Sequence, residues 1–153
     1  MQRLSLVICI LLPLAAYSDS PVRGPIALLS RADRLAMLYN WPEAAPLYAQ
    51  AESLFTQSGD SQNALSARLG YLWATADAGV TPAAVQETSA YLKDPLVQTN
   101  QRLLLRAFIA KAVLDRNTNE TASRELWDRI LKLATALDDD PWEARAKAEL
   151  GER

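Results

Sequence analysis

The sequence contains no histidine, and its one cysteine, Cys9, lies in an apolar run near the N-terminus. Histidine is the usual general base and the commonest metal ligand in proteins, so its absence removes the simplest routes to acid–base and metal chemistry. Glycine is also scarce, with five residues in 153, and no glycine-rich phosphate loop is present. We therefore expect no catalytic residues, no metal and no cofactor, which excludes the common classes of enzyme.

A strong charge of either sign is missing as well. The 16 basic and 18 acidic residues nearly balance, and no basic stripe appears, so the electrostatic footprint of nucleic-acid binding is absent. Half of the residues are apolar, Ala and Leu dominate, and alternating runs of Val, Ile and Thr are absent beyond residue 20. Because Ala, Leu, Arg, Glu and Gln are good helix formers, the composition predicts an all-α domain with one core.

The N-terminus, residues 1–18, has the layout of a secretory signal peptide. Arg3 supplies a positive charge, residues 4–16 are almost continuously apolar, and small residues precede a cut before Asp19. The apolar run is shorter than the roughly 20 residues that a transmembrane helix needs. We expect cleavage, a periplasmic or secreted protein and no membrane insertion; an uncleaved segment would instead anchor the protein to a membrane. Two prolines and a glycine predict a linker at 19–25.

Apolar periodicity and capping residues predict seven helices beyond the linker. Asp60, Thr81 and Asp94 are expected as N-caps, the latter two followed by a proline at the first helical position. Asn117 and Asp140 each precede a glutamate by three residues, which predicts two capping boxes. The predicted helices span residues 26–39, 41–57, 61–77, 82–93, 96–116, 120–137 and 141–150.

Small and large side chains alternate along one face of the second predicted helix, and an Ala-x-Leu-Gly sequence occurs twice in the chain. In this order of residues the chain resembles the tetratricopeptide family, whose helix–turn–helix units of about 34 residues stack into a solenoid. The resemblance covers residues 26–151 and implies a right-handed solenoid of three helical hairpins plus one unpaired helix. The repeat positions that carry it are Ala32, Trp41, Ala44, Tyr48, Ala51, Leu69, Gly70, Leu150 and Gly151.

The resemblance also implies a function: the first helices of successive hairpins form a concave groove that holds a peptide or partner protein. Tyr and Arg are enriched at binding hot spots, whereas single exposed charges are also ordinary features of solvated helices. One branch of the family clamps a carboxylate with Lys and Asn, which are absent from the equivalent positions here. The residues expected to face the groove are Asp33, Arg68, Tyr71, Arg102 and Arg106.

Two interpretations of the C-terminal part remain open. In the first, the seventh helix caps a repeat domain spanning 26–153, which binds its partner by itself. In the second, the domain is truncated, and the chain is the N-terminal sensory or self-association segment of a larger bacterial signalling protein. Self-association would then use the C-terminal helix, because a repeat helix without its partner exposes an apolar side.

The aromatic and acidic residues allow two further expectations. The four tryptophans follow the helical periodicity, which favours places in the core over a ligand pocket. The acidic run 138–140 is expected to be a polar turn ending in an N-cap, because no calcium-loop spacing follows it.

Overall fold

The computed structural model describes residues 24–151. The predicted signal peptide and most of the predicted linker lie outside the described residues. The described part of the chain forms eight α-helices and no strand, which confirms the all-α prediction. The helices are α1 (Pro25–Met37), α2 (Trp41–Gln57), α3 (Ser61–Thr75), α4 (Pro82–Tyr91), α5 (Pro95–Thr99), α6 (Gln101–Asp115), α7 (Glu120–Ala136) and α8 (Asp140–Leu150).

The expected N-caps at Asp60, Thr81 and Asp94 are confirmed. Their side-chain oxygens accept hydrogen bonds from backbone amides at the start of α3, α4 and α5, at 3.1, 3.2 and 2.7 Å respectively. Each of these bonds satisfies an amide that has no partner within its own helix. The predicted starts of these helices therefore agree with the structure to within one residue.

The two predicted capping boxes are wrong in position. The N-cap of α7 is Asn119 rather than Asn117, and the N-cap of α8 is Asp139 rather than Asp140. In the second case the preceding turn decides the position, because the Asp139 amide bonds the carbonyl of Ala134 at 3.0 Å. This bond closes α7, so Asp139 is the first residue free to cap α8.

The predicted fifth helix is two helices, which raises the number of helices from seven to eight. Asn100 separates α5 from α6 and has an extended backbone, with φ −117° and ψ 105°. Its carboxamide oxygen accepts from the amides of Arg102 and Leu103 at 3.0 and 3.1 Å. Asparagine competes with the helix by forming such local hydrogen bonds. Apolar periodicity does not detect this break, because the apolar spacing continues across Asn100.

Three tight turns, between α1 and α2, α2 and α3, and α7 and α8, share one geometry. Each contains one residue with left-handed backbone: Tyr39 (φ 61°), Gly59 (φ 75°) and Asp138 (φ 53°). The next amide bonds back to the preceding helix, as from Asn40 to Leu35 at 2.9 Å. Glycine adopts this conformation without strain, whereas a residue with a Cβ is strained by about 1–2 kcal/mol.

The helices pack mainly on their neighbours in the chain. Contacts join α1 with α2, α2 with α3, α6 with α7 and α7 with α8, while α3 packs on α6. Helix α4 packs more on α6 than on α3 and buries only Thr88. The largest fully buried side chains include Tyr48, Phe55, Leu69, Ile109, Leu114 and Ile130.

The repeat positions fall mostly in this core. Among them Trp41 is half-buried, and Gly151 ends α8 as a left-handed C-cap with φ 76°. Gly151 thus differs from Gly70, which lies inside α3. The other positions are buried: Ala32, Ala44, Tyr48, Ala51, Leu69, Gly70 and Leu150.

Gly70 allows α3 to approach α2 closely. A Cβ atom at Gly70 would lie 2.3 Å from Cε1 and 2.6 Å from Cζ of the Tyr48 ring. The ring therefore occupies the space that any side chain at position 70 would need, and Tyr48 itself is fully buried. Within the described residues no helix is both long and apolar enough to span a bilayer.

Candidate binding cleft

A cleft of about 380 Å³ opens on one side of the described domain. Helices α1, α3, α6 and α8 supply its lining, together with the N-cap residue of α8. Apolar side chains form part of its floor, an ion pair lies at its base beside them, and further charged side chains lie at its rim. Its lining includes Asp33, Arg34, Met37, Arg102, Arg106 and Trp142.

An ion pair between α1 and α6 forms the base of this cleft. The Arg106 guanidinium donates from Nη2 to Asp33 Oδ1 at 2.7 Å and from Nη1 to Asp33 Oδ2 at 3.1 Å. Its Nε donates to the carbonyl of Ser66 at 3.1 Å, which adds α3 to the network. The Tyr48 hydroxyl donates to Asp33 Oδ1 at 2.7 Å from below. Four helices are thus joined by charge-assisted hydrogen bonds, the stronger kind.

The protonation states in this network are fixed at ordinary pH. Burial raises the pKa of Tyr48 far above its usual value, and the negative charge of Asp33 raises it further against the opposing effect of Arg106. Burial lowers the pKa of Arg106, but the charge and hydrogen bonds of Asp33 outweigh this, so the pKa is raised. Tyr48 therefore stays a donor, and Arg106 stays charged.

The rim carries positive charge that the base does not neutralise. Arg34 is exposed on α1, and the Arg102 side chain on α6 is 70 % exposed, with Nη1 3.8 Å from Asp139. Three arginines and two aspartates line the cleft, which leaves one net positive charge there, although the whole chain carries −2. Met37, Leu105 and the tryptophans of α3 and α8 provide the apolar floor between them.

Three of the five expected groove residues meet in this cleft: Asp33, Arg102 and Arg106. Sequence reasoning missed Arg34 and Met37, and for Trp142 it favoured the core over a ligand pocket, whereas Trp142 lines this cleft. The first two follow Asp33 by one and four residues on α1, so helical spacing from Asp33 could have identified Met37. No sequence signal placed Trp142 there, since only the packing of α8 brings it to α3 and α6.

Arg68 and Tyr71 lie outside the cleft in a separate cluster between α3 and α4. Arg68 donates to the Glu87 carboxylate from Nε at 2.6 Å and from Nη2 at 2.7 Å. The guanidinium also lies 5.4 Å from the centroid of the Tyr71 ring. On the other side Tyr91 donates its hydroxyl to Glu87 at 2.9 Å. These bonds hold α4 to the rest of the domain and leave Arg68 little freedom to bind a partner.

The carboxylates of this cluster give a testable pH dependence. The hydrogen bonds from Arg68 hold the pKa of Glu87 below its ordinary 4.5, whereas burial raises the pKa of Glu52, whose Oε2 lies 3.9 Å from Arg68 Nη1. Burial and the bond to Glu87 raise the pKa of Tyr91 to about 12, so it stays protonated. A carboxyl pKa that is lowered in the folded state stabilises the fold fully above the unfolded pKa, and this stability is lost as the pH falls from there through the lowered folded-state pKa.

We therefore expect Glu87→Gln to lower the free energy of unfolding by about 1 kcal/mol at neutral pH, a value reduced for partial exposure. The deficit should shrink as the pH falls below the ordinary pKa of 4.5, and it should vanish below the lowered pKa of folded Glu87, where the original chain is protonated too. Urea denaturation on both sides of that pH measures it, with the exposed Glu125→Gln on α7 as control. A deficit that persists in acid would contradict the assigned role.

Acidic residues do not gather into a metal site within residues 24–151, where no group of three or more potential ligands lies together. Asp138 and Asp139 of the acidic run form the turn before α8, with Asp139 accepting from the Trp142 amide as its N-cap, and Asp140 is the first residue of α8.

Comparison with known protein families gave no matching family model. Comparisons with curated proteins and with solved structures gave no match either.

Proposed function

We propose that the protein is an exported, tetratricopeptide-like solenoid that binds a peptide or a partner-protein segment in the cleft. Packing of α1 on α2, α2 on α3, α6 on α7 and α7 on α8 supports the solenoid, in which α1, α3, α6 and α8 would be the first helices of successive hairpins. Those four helices line the cleft, as expected of the concave side of such a solenoid. The export rests on the signal-like pattern of residues 1–18 alone.

One observation carries the binding function: exposed arginines stand over an apolar floor. Arg34 and Arg102 can each reach a carboxylate, while Met37, Leu105 and Trp142 can bury an apolar side chain. A segment with acidic residues beside an aromatic or aliphatic residue fits this chemistry. Arg and Trp are also the residue types on which interface energies concentrate.

The ion-paired base adds preorganisation. Arg106 is held at three nitrogens by Asp33 and Ser66, so it does not have to be ordered when a ligand arrives. A surface that is rigid beforehand loses less conformational entropy on binding. We expect Asp33 and Arg106 to shape the cleft and Arg34 and Arg102 to contact the ligand.

Selection from a library of displayed random peptides tests this function with the purified protein. We expect enrichment of peptides in which Asp or Glu neighbours an aromatic or aliphatic residue. Arg102→Glu should weaken the selected peptides by about tenfold or more, since it replaces an attraction with a repulsion. Added salt should weaken binding too. Arg129→Glu, on the exposed side of α7, is the matched control.

Enrichment without an acidic preference, or equal binding by the Arg102 and Arg129 variants, would reject this cleft as the site. The alternative function, a self-association segment using α8, predicts a concentration-dependent dimer in light scattering. It has less support, because the surface of α8 includes the ion pair of Lys147 with Glu143, while Ala146 and Leu150 are buried. A dimer disrupted by substitutions on α8 would favour it.

A further inference from the structure

A second cavity, of about 150 Å³, lies at the C-terminal ends of α3 and α6, where the α1–α2 turn and α8 close over them. It is a different opening from the cleft, and the two share only the Trp73 ring as a common wall. We call it the arginine pocket. Its lining includes Tyr39, Trp41, Trp73, Asp77, Arg116 and Arg145.

Two residues that line the arginine pocket, Trp73 and Arg145, carry buried donors that nothing in the described chain satisfies. Arg145 is 7 % exposed, and neither its Nε nor its Nη1 has a hydrogen-bond partner within residues 24–151. The indole Nε1 of Trp73 is buried without a partner as well. Of all side-chain nitrogens and oxygens in the described residues, these three atoms alone are buried and unpaired, and all belong to residues lining this pocket.

The charge of Arg145 has one counter-ion, Glu149, which it shares with Arg116. Its Nη2 reaches Glu149 Oε1 at 3.4 Å, but Arg116 takes the same oxygen at 3.0 Å. One carboxylate thus serves two guanidinium groups. Asp77, the acidic residue in the lining, is exposed, where water screens its charge. A buried charge with unmade hydrogen bonds is costly, and an anionic acceptor that entered the pocket would remove much of that cost.

Aromatic rings hold the guanidinium in place. Its central carbon lies 4.1 Å from the centroid of the Tyr39 ring and 5.9 Å from that of Trp41. Stacking of this kind uses the face of the guanidinium and leaves its in-plane N–H groups for a planar acceptor. Tyr39 is 61 % exposed and has the left-handed backbone described above.

We propose that the arginine pocket binds a carboxylate attached to a single ring or an apolar group of similar size. The carboxylate accepts from Arg145, and the Trp73 indole is a further donor in the wall. The body of the ligand lies among Trp41, Val80 and Val113. A cavity of about this volume accommodates one benzene ring. This size favours a free small acid over the C-terminus of a peptide, which would offer the same carboxylate.

Phenylacetate is the probe for the test, with phenylacetamide as its neutral match. Titration of the full chain, followed by calorimetry and by tryptophan fluorescence, should show saturable binding of phenylacetate. Phenylacetamide should bind about tenfold more weakly, since it loses the charge-assisted bonds. A peptide, N-acetyl-Gly-Gly-Phe with a free carboxylate, separates the two sources: its failure to bind supports a free acid, and tighter binding than phenylacetate overturns that assignment.

Arg145→Met keeps the length of the side chain and should reduce phenylacetate affinity at least tenfold. It removes a buried charge without a good partner, so the fold should survive the substitution. Arg129→Met, whose guanidinium lies beside Phe108 on α7, should leave affinity unchanged. Equal binding of the acid and the amide to the original chain, or full affinity in the Arg145 variant, would overturn the proposal. Neither readout depends on peptide binding in the cleft.

Discussion

Gly70→Ala should lower the free energy of unfolding by about 3 kcal/mol, the upper range for overpacking a core. The added methyl group would lie 2.3 Å from Cε1 of Tyr48, closer than two carbon atoms can approach. The Tyr48 ring cannot move aside, because it is fully buried and its hydroxyl donates to Asp33. The roughly 1 kcal/mol that Ala gains over Gly in a helix offsets only part of the loss.

Urea denaturation of four chains separates this clash from other effects: the original protein, Gly70→Ala, Tyr48→Leu and the double variant. Tyr48→Leu removes the ring, so Gly70→Ala should cost almost nothing in that background. An equal cost with and without the ring would mean that the clash is not what fixes glycine here. Gly24→Ala provides a control, since a Cβ at Gly24 meets no atom within 4 Å.

Asp33→Ala is expected to have the second largest effect, a loss of about 2–3 kcal/mol. Removing one partner of a partly buried ion pair leaves the other charge uncompensated, and the value is below that of a fully buried pair because the Asp33 side chain is 37 % exposed. Arg106 would keep only its bond to Ser66, and the Tyr48 hydroxyl would lose the acceptor it has in this structure. Three donor groups, Nη1 and Nη2 of Arg106 and the Tyr48 hydroxyl, would therefore lose the acceptor they share.

A double-mutant cycle with Arg106→Met provides the measurement. The double variant has no uncompensated charge, so its loss should be smaller than the sum of the two single losses by 1 kcal/mol or more. Strict additivity would show that the two side chains do not stabilise each other across α1 and α6. The cycle also reports on function, since peptide selection can be repeated with the double variant.

Much of the secondary structure could be predicted from the sequence, because local interactions determine it. The start of α2 at Trp41, the caps at Asp60 and Thr81, and the turn at Gly59 all depend on residues close in the chain. The break at Asn100 was missed because apolar spacing continues across it. The helix is interrupted there by the hydrogen bonds of a single side-chain carboxamide.

The candidate sites were harder to predict, because they depend on contacts across the fold. Asp33 and Arg106 are 73 residues apart, and the sequence placed both near one groove without showing that they pair with each other. Arg145 was not identified at all. It lies in a helix of mixed charge, and only the packing of α8 against the α1–α2 turn buries it beside Tyr39. Periodicity cannot show which charged side chain loses its solvent.

The three turns that share one geometry, at Tyr39, Gly59 and Asp138, restrict how the chain could change in length during evolution. In each one the residue after the left-handed position bonds back to the previous helix and is also the N-cap of the next, as Asn40, Asp60 and Asp139 show. One extra residue there would rotate the following helix by about 100° and turn its buried face outward. Insertions and deletions should therefore be confined to the looser connections 76–81 and 116–119.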